Sequence, residues 1–424
     1  MTLAVLVLVA VPVVLPGVGA QVADTLRRIA GPDAVAGIES ISFRIQDLYN
    51  RTHYQLGGAQ SSITFASVPV VVPPTPTLAT VPTGVPQMMP VNGPVPQNAT
   101  RLPAVTAASI SFTRLPAPIL LPVPIPSPTP TSLPSVADAA PIVAGGWQPF
   151  GPSSSGRPIM ARAASKPDPT RPYAQVALVR IDLSLIRLHF VLGTQEPMAA
   201  GSTTRLQRTG AIPQTDQVPN ALIAAFNGGF KTIHGHYGVY DQGTTVVPLQ
   251  NNLATLTIYQ NGTVRIGAWG RDVAMVSGLV AARQNCPLLL DAGYINPDVN
   301  NGSRQEWGYT IGNFDATWRS GVGISQDGRF LVYAAGPSLT VESIARALQQ
   351  AGAYYAMQLD INGYYTRFAT YTPASTATGH PILANRLLNQ MTVPSNLYLD
   401  SYVRDFFYIT ARLGQKVTWA QKPR

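Results

Sequence analysis

The chain has 424 residues and a formal net charge of +9, yet only 12% of its residues are charged. The basic residues are scattered and form no Lys/Arg cluster of the kind that binds nucleic acid, so we predict no nucleic-acid partner. The single Cys286 excludes an intrachain disulfide and any metal site built from several cysteines.

The first twenty residues are almost wholly apolar. They end in Val18-Gly19-Ala20, a pattern typical of a signal-peptide cleavage site. About 20 apolar residues also suffice for an uncleaved membrane anchor, so segment 1–20 is interpreted as one or the other. Either interpretation predicts an exported protein of the cell envelope, which would contact the membrane through residues 1–20 if they are not removed.

The next two segments differ in composition. Residues 21–60 carry apolar residues at spacings typical of short amphipathic helices. Residues 61–170 contain 24 of the 39 prolines of the chain. Alternating prolines favour an extended polyproline II conformation, and such a segment cannot bury a continuous core. We therefore predict a Pro-rich linker or stalk over 61–170, which leaves room for one globular domain.

From residue 171 the pattern becomes that of strands joined by tight turns. The pair Asn261-Gly262 between two apolar runs predicts a β-hairpin, and Asp327-Gly328 repeats this design. One helix is expected to begin after Thr340 and to stop at Gly352. The prediction is an α+β domain over 171–412, a strand-rich mixed sheet with a few helices, followed by a C-terminal tail at 413–424.

Three apolar segments end abruptly in polar, glycine-containing sequence and would deliver Asn227, Arg319 and Asp360 to a rim. Gly228 and Gly229 would let the backbone approach a ligand and expose N–H groups to an anion. Three basic residues follow within a few positions and could meet a phosphate: Lys231, His234 and His236. His-x-His could also ligate a metal, but a solvated loop explains it as well, and we predict neither metal nor cofactor.

Arg319 can bind a pair of phosphate oxygens with its forked guanidinium, which Lys cannot do, although a structural salt bridge is the alternative. Asp291 ends an apolar run and is either a site carboxylate or a turn cap. Glu306 lies beside Trp307, which could stack on a sugar face, while an exposed Glu with a half-buried Trp is the plainer interpretation.

Taken in order, the segments around Asn227, Arg319 and Asp360 resemble the phosphodiester glycosidase family over roughly residues 171–410. Arg283, in Arg283-Gln284-Asn285, belongs to a further segment that resembles the family. Asp360-Ile361-Asn362 stands where the family has Asp-Gly-Gly-Gly, so two glycines are replaced, as in a bacterial branch that it resembles.

The resemblance implies hydrolysis of a sugar-1-phosphodiester, here in an envelope or extracellular glycan. The alternative is a non-catalytic protein that binds a glycan or an anionic polymer. The predicted catalytic carboxylates are Asp360, Asp291 and Glu306. The predicted substrate-binding residues are Asn227, Gly228, Gly229, Lys231, His234, His236, Arg283, Trp307, Arg319 and Asn362.

Overall fold

Strands joined by short turns make up most of the fold. The computed structural model describes residues 45, 47–58, 63–67, 146–198, 208–300, 306–308, 316–374, 381–391 and 394–419. The prediction of a strand-rich domain with few helices is confirmed. The prediction of a mixed sheet is wrong for these residues, because every pair of neighbouring strands is antiparallel. Tight turns favour this outcome, since parallel pairing needs a crossover of a dozen or more residues.

The largest sheet has nine strands. In spatial order they are β12 (Tyr294–Ile295), β11 (Leu288–Asp291), β15 (Tyr355–Ile361), β13 (Thr317–Ile324), β14 (Phe330–Leu339), β3 (Val176–Asp182), β2 (Arg157–Ser165), β1 (Gln148–Ser154) and β19 (Val417–Trp419).

Two smaller sheets have five strands each. The first is ordered β7 (Thr244–Val247), β6 (Val239–Asp241), β10 (Leu279–Asn285), β8 (Ala254–Tyr259) and β9 (Val264–Ala268). The second is ordered β17 (Ile382–Arg386), β16 (Phe368–Pro373), β5 (Leu222–Asn227), β18 (Phe406–Ala411) and β4 (Ile186–Val191).

Helices are short. Helix α1 (Val341–Gln350) begins as predicted, because the hydroxyl of Thr340 accepts from the N–H of Ser343 at 3.0 Å, and Gly352 follows its end with φ +84°. Helix α2 (Leu397–Asp400) is a single turn. Residues 47–55 are helical, and the single-turn 3₁₀ helices are Gln214–Asp216, Thr232–His234 and Pro297–Val299.

The nine-stranded sheet is buried on both faces, which explains why its strands are almost continuously apolar. Leu178 and Val332 face the side covered by α1. Their neighbours Val179 and Tyr333 face the opposite side, where they join a core that includes residues of both five-stranded sheets. This alternation follows from the period of two along a strand.

The folded region is longer than the sequence predicted. Strands β1 and β2 lie inside the predicted linker, and Phe150, Ile159 and Met160 are buried there. The boundary at 171 is therefore wrong for residues 148–165, which contain few of the prolines and pair with β3. Strand β19 likewise lies in the predicted tail and pairs with β1.

The predicted export segment 1–20, residues 21–44 of the predicted helical segment, and most of the predicted linker lie outside the described residues. Within the described part of the chain, no helix is both long enough and apolar enough to cross a membrane.

Candidate active site

Asp360 is buried near the end of β15, with 5% of its surface exposed. Its main-chain N–H donates to the carbonyl of Gly228 at 2.9 Å, which ties the strand to the loop after β5. One carboxylate oxygen accepts from the N–H of Ile361 at 2.9 Å, and the other lies 2.5 Å from Nη2 of Arg404. Burial raises the pKa of Asp360 to about 7, and the guanidinium of Arg404 only partly opposes this rise. A carboxyl group with this pKa changes charge near neutral pH, as a general base requires.

Arg404 lies just before β18 and is held on several sides. Its guanidinium carbon is 4.2 Å from the ring centroid of Tyr365, and Nη2 also donates to the carbonyl of Gly229 at 3.1 Å. Its main chain packs against Gly193, where a Cβ would lie only 2.4 Å from backbone atoms of Arg404. Its Nε is buried and has no hydrogen-bond partner among the described residues. Arg404 therefore keeps one unused donor beside Asp360.

Arg367 is a second buried guanidinium, located just before β16. Its guanidinium carbon is 4.8 Å from the ring centroid of Tyr402 and 5.1 Å from that of Tyr398. Nη2 reaches the carbonyl of Tyr364 at 3.5 Å, whereas Nε and Nη1 have no hydrogen-bond partner within the described part of the chain. No carboxylate of the described residues forms an ion pair with Arg367. A buried cation without a counter-ion is costly, so this arrangement favours an anionic ligand.

Tyr402 connects these charged groups. Burial raises the pKa of its phenol, the guanidinium groups of Arg367 and Arg404 oppose that rise, and the carboxylate of Asp360 adds to it. Of these groups, the guanidinium carbon of Arg367 lies over the ring of Tyr402, at 4.8 Å from its centroid. We call Asp360, Arg367, Arg404 and Tyr402 the Asp360 site.

Buried polar atoms without partners concentrate around the Asp360 site. Folded proteins leave few such atoms, and each one needs an explanation. A polar, anionic ligand would explain several of them together. Besides the guanidinium nitrogens of Arg367 and Arg404, they include Asn362 Oδ1, Thr366 Oγ1 and Tyr398 OH.

Asn227, the last residue of β5, connects Asp360 to Arg367 through hydrogen bonds. Its Nδ2 donates to the hydroxyl of Ser320 at 2.9 Å, and that hydroxyl donates to the carbonyl of Asp360 at 2.6 Å. Its Oδ1 accepts from the main-chain N–H of Arg367 and from the hydroxyl of Tyr333, both at 3.0 Å. The amide is used within the protein, so Asn227 positions Asp360 and Arg367 and is not placed to contact substrate as predicted.

Gly228 and Gly229 have a packing role. A Cβ at Gly228 would lie 2.0 Å from Oδ2 of Asp405, and one at Gly229 would lie 2.8 Å from the guanidinium carbon of Arg283. Asp405 accepts from Nε of Arg283 at 2.8 Å and from the N–H of Gly229 at 3.2 Å. The glycines let the loop close over this buried ion pair. Arg283, predicted to bind substrate, also donates to the carbonyl of Phe230, and its role is structural.

A family model described as phosphodiester glycosidase matches residues 220–385. Residues 220–385 belong to the phosphodiester glycosidase family. Phosphodiester glycosidases are hydrolases, and the match indicates a hydrolase domain of this kind over residues 220–385. The matched range contains Asp360 and Arg367 but ends before Arg404 and Asp405.

No curated protein matches this chain. The solved structures that are similar to it include three proteins. One is the catalytic domain of zebrafish N-acetylglucosamine-1-phosphodiester alpha-N-acetylglucosaminidase, auto-inhibited by its pro-peptide. It is 16% identical, with a TM-score of 0.39, over 61% of this chain and 86% of that one. A hypothetical protein from Synechocystis is 13% identical, with a TM-score of 0.32, over 62% and 64% of the two chains. A protein from Burkholderia pseudomallei described as exported is 12% identical, with a TM-score of 0.26, over 56% and 74%.

In the phosphodiester glycosidase domain, Asp291 lies near the opposite end of β15 from Asp360. Strands β11 and β15 are antiparallel with Leu290 opposite Ala356, which places Asp291 about 16 Å along the strand from Asp360. The two carboxylates of a glycosidase lie about 5–10 Å apart. Asp291 is instead half-buried, with its carboxylate 2.7 Å from Nη2 of Arg271, so the register contradicts its predicted pairing with Asp360.

Trp307 is also placed differently from the prediction. It is 3% exposed, and its indole Nε1 donates to the carbonyl of Asp298 at 3.2 Å. Its carbonyl accepts from Nε2 of Gln358 at 2.9 Å. The ring is therefore buried and not half-buried, and its contact with a sugar stays a prediction. Glu306 is exposed, and no contact among the described residues joins it to Asp360.

Arg319 is the third residue of β13. It is 3% exposed, and Nε donates to the carbonyl of Leu339 at 3.1 Å. Nη1 donates to Oε1 of Gln358 at 2.8 Å and to the carbonyl of Trp307 at 3.2 Å. Strands β14 and β15 pair with β13 on its two edges. The guanidinium of Arg319, which was predicted to bind phosphate, instead cross-links segments of the core.

The loop after Gly229 carries Lys231, half-buried, and the exposed His234 and His236. In this loop the main-chain N–H of Thr232 donates to Oε2 of Glu196 at 3.0 Å, which fixes the start of the 3₁₀ helix Thr232–His234. Within the described ranges, no group of three or more His, Cys, Asp or Glu residues could hold a metal ion. Contact of these basic residues with substrate stays a prediction.

Sequence reasoning missed Arg367, Arg404 and Asp405 because it searched only the ends of apolar runs. In an antiparallel sheet the end of one strand lies beside the start of its neighbours. Asn227 ends β5 opposite Phe406, and Arg367 and Asp405 stand immediately before β16 and β18. Searching the residues before each apolar run would have found them.

Proposed function

We propose that the protein hydrolyses the bond between the anomeric carbon of a sugar and a phosphodiester, and that it does so at the Asp360 site. The observation that carries this proposal is Arg367, a buried cation that has two unused donors and no carboxylate partner among the residues that the structure describes. A phosphodiester supplies one negative charge and two non-bridging oxygens. It would therefore satisfy Arg367 and the unused Nε of Arg404 together.

Asp360 acts as the general base. It takes a proton from a water molecule whose oxygen forms a bond to the anomeric carbon. The bond from that carbon to the phosphate oxygen breaks, and its electron pair leaves with the phosphate. The base form of Asp360 becomes the majority as the pH rises above about 7.

The two arginines stabilise the negative charge that grows on the leaving phosphate. Phosphate is already a good leaving group, so the step does not require the proton donor that an alcohol leaving group needs. One carboxylate and two guanidinium groups therefore suffice for the reaction.

The surrounding network holds these groups in place. Asn227 links the main chain of Arg367 to that of Asp360 through Ser320. The buried pair of Arg283 and Asp405 fixes the loop whose carbonyls bond to Asp360 and Arg404. Positioning of this kind keeps the base and the phosphate donors in one geometry.

We also propose that the substrate belongs to an envelope or extracellular glycan and that the protein is exported. The apolar residues 1–20 and the proline-rich composition of the segment before the domain support this location.

Hydrolysis in ¹⁸O-labelled water tests the proposed bond cleavage. Purified protein is incubated with a panel of hexose-1-phosphate methyl esters, and the methyl phosphate product is weighed by mass spectrometry. Attack at the anomeric carbon predicts free sugar and unlabelled methyl phosphate. Label in the methyl phosphate would mean attack at phosphorus, and no product from any ester would contradict the proposed function altogether.

A further inference from the structure

One residue of the turn between Asp360 and Arg367 has an unusual backbone conformation. Asn362 has φ +75°, in the left-handed region that few residues other than glycine and asparagine adopt easily. Its carbonyl accepts from the N–H groups of Tyr365 and Thr366, both at 3.0 Å. The turn is therefore fixed by its own hydrogen bonds, and so is the position of Asn362.

Two polar atoms of this turn are buried and have no hydrogen-bond partner in the described ranges, namely Oδ1 of Asn362 and the hydroxyl of Thr366. Thr366 is 1% exposed. An unsatisfied buried polar atom destabilises the fold, and an apolar residue of similar shape would avoid that cost. Both atoms belong to the short link between the base and the phosphate-binding arginine. Their unused acceptor capacity indicates a ligand that donates hydrogen bonds.

We propose that Asn362 and Thr366 bind a hydrogen-bond donor on the sugar ring, either a hydroxyl or an amide N–H, and so determine which sugars are cleaved. This inference rests on the proposed function. The Asp-Gly-Gly-Gly motif, which this segment resembles, has glycine at the position of Asn362. Glycine would give the same backbone turn without a side chain. Asn362 adds an acceptor that such a turn lacks.

The test compares wild type with Asn362→Gly on a hexose-1-phosphate methyl ester, its monodeoxy analogues and its acetamido analogue. Wild type is expected to disfavour one monodeoxy analogue by about ten- to a hundredfold in kcat/KM. Asn362→Gly is expected to remove about tenfold of that preference and to leave kcat/KM for the deoxy analogue nearly unchanged. A preference for the acetamido ester over the hydroxyl ester would identify the donor as an amide N–H. An equal loss of kcat/KM across the whole series would overturn the proposal.

Asn252→Gly is the matched control, because Asn252 is exposed, has φ +66° and lies outside the Asp360 site. It is expected to change no sugar preference. Thr366→Val is a second test that keeps the side-chain shape. It is expected to keep or raise Tm while weakening the same preference, and a lower Tm with an unchanged preference would contradict the role of Thr366.

Failure of the proposed function gives a different result. If wild type cleaves none of the esters, the same series is measured as Kd by calorimetry. A preference among the esters that Asn362→Gly removes would support the sugar contact even without turnover. No dependence on Asn362 in either kcat/KM or Kd would overturn it.

Discussion

Asp360→Asn is expected to lower kcat by about 10²- to 10⁴-fold, the usual contribution of a general base. The asparagine has the same shape but cannot take a proton from water. Loss of the ion pair with Arg404 also weakens the fold, so kcat is measured per folded molecule, with the folded fraction determined by circular dichroism.

Asp291→Asn and Glu306→Gln are the matched controls, since each removes a carboxylate that the sequence predicted to be catalytic. Asp291 is half-buried at the far end of β15 and pairs with Arg271, and Glu306 is exposed, so both variants are expected to keep kcat within about twofold of wild type. A folded Asp360→Asn protein that keeps a tenth of wild-type kcat would contradict the assignment of the base. So would a loss in Asp291→Asn as large as that in Asp360→Asn.

Asp405→Asn is expected to have the largest effect on stability, lowering the free energy of unfolding by about 3–5 kcal/mol. The side chains of Arg283 and Asp405 are 1% and 0% exposed, so removing one charge leaves the other buried and unpaired. The measurement is urea denaturation followed by fluorescence.

Glu342→Gln provides the comparison, because Glu342 pairs with Arg346 on the exposed side of α1. Exposed pairs of this type contribute only about 0.3–0.5 kcal/mol. The double variant Arg283→Met/Asp405→Leu is expected to recover much of the loss, because no buried charge remains. Equal small effects in Asp405→Asn and Glu342→Gln would show that the buried pair does not anchor the loop.

Much of the fold could be predicted from local sequence because its determinants are local. The turn pairs Asn261-Gly262 and Asp327-Gly328 lie at hairpins, with φ +86° and +69° at their glycines. The N-cap at Thr340 was visible for the same reason. The predicted linker was wrong at β1 and β2 because proline content was averaged over 110 residues, which hid two strands that alternate in burial.

The site was harder to predict because its pairings are long-range. Asp360 lies where its motif predicted, near the end of a buried strand. Its partner Arg404 precedes β18, a strand of another sheet. No local pattern shows whether a buried arginine will pair with Asp360 or with Asp405. The polar residues at Arg319 and Asn227 were recognised correctly as unusual within apolar runs. Their hydrogen bonds place them in the supporting network, which a single sequence cannot distinguish from contact with substrate.

Arg367→Met tests most directly whether the Asp360 site binds a phosphodiester. Methionine fills a similar volume and removes a buried charge whose desolvation costs several kcal/mol, more than the cation–π contacts with Tyr398 and Tyr402 return. The variant is therefore expected to unfold at an equal or higher temperature than wild type, while kcat/KM falls about a hundredfold or more. Methyl phosphate is expected to raise the Tm of wild type and not that of the variant. A variant with lower Tm, unchanged kcat/KM and the same response to methyl phosphate would show that Arg367 is structural and that the phosphodiester binds elsewhere.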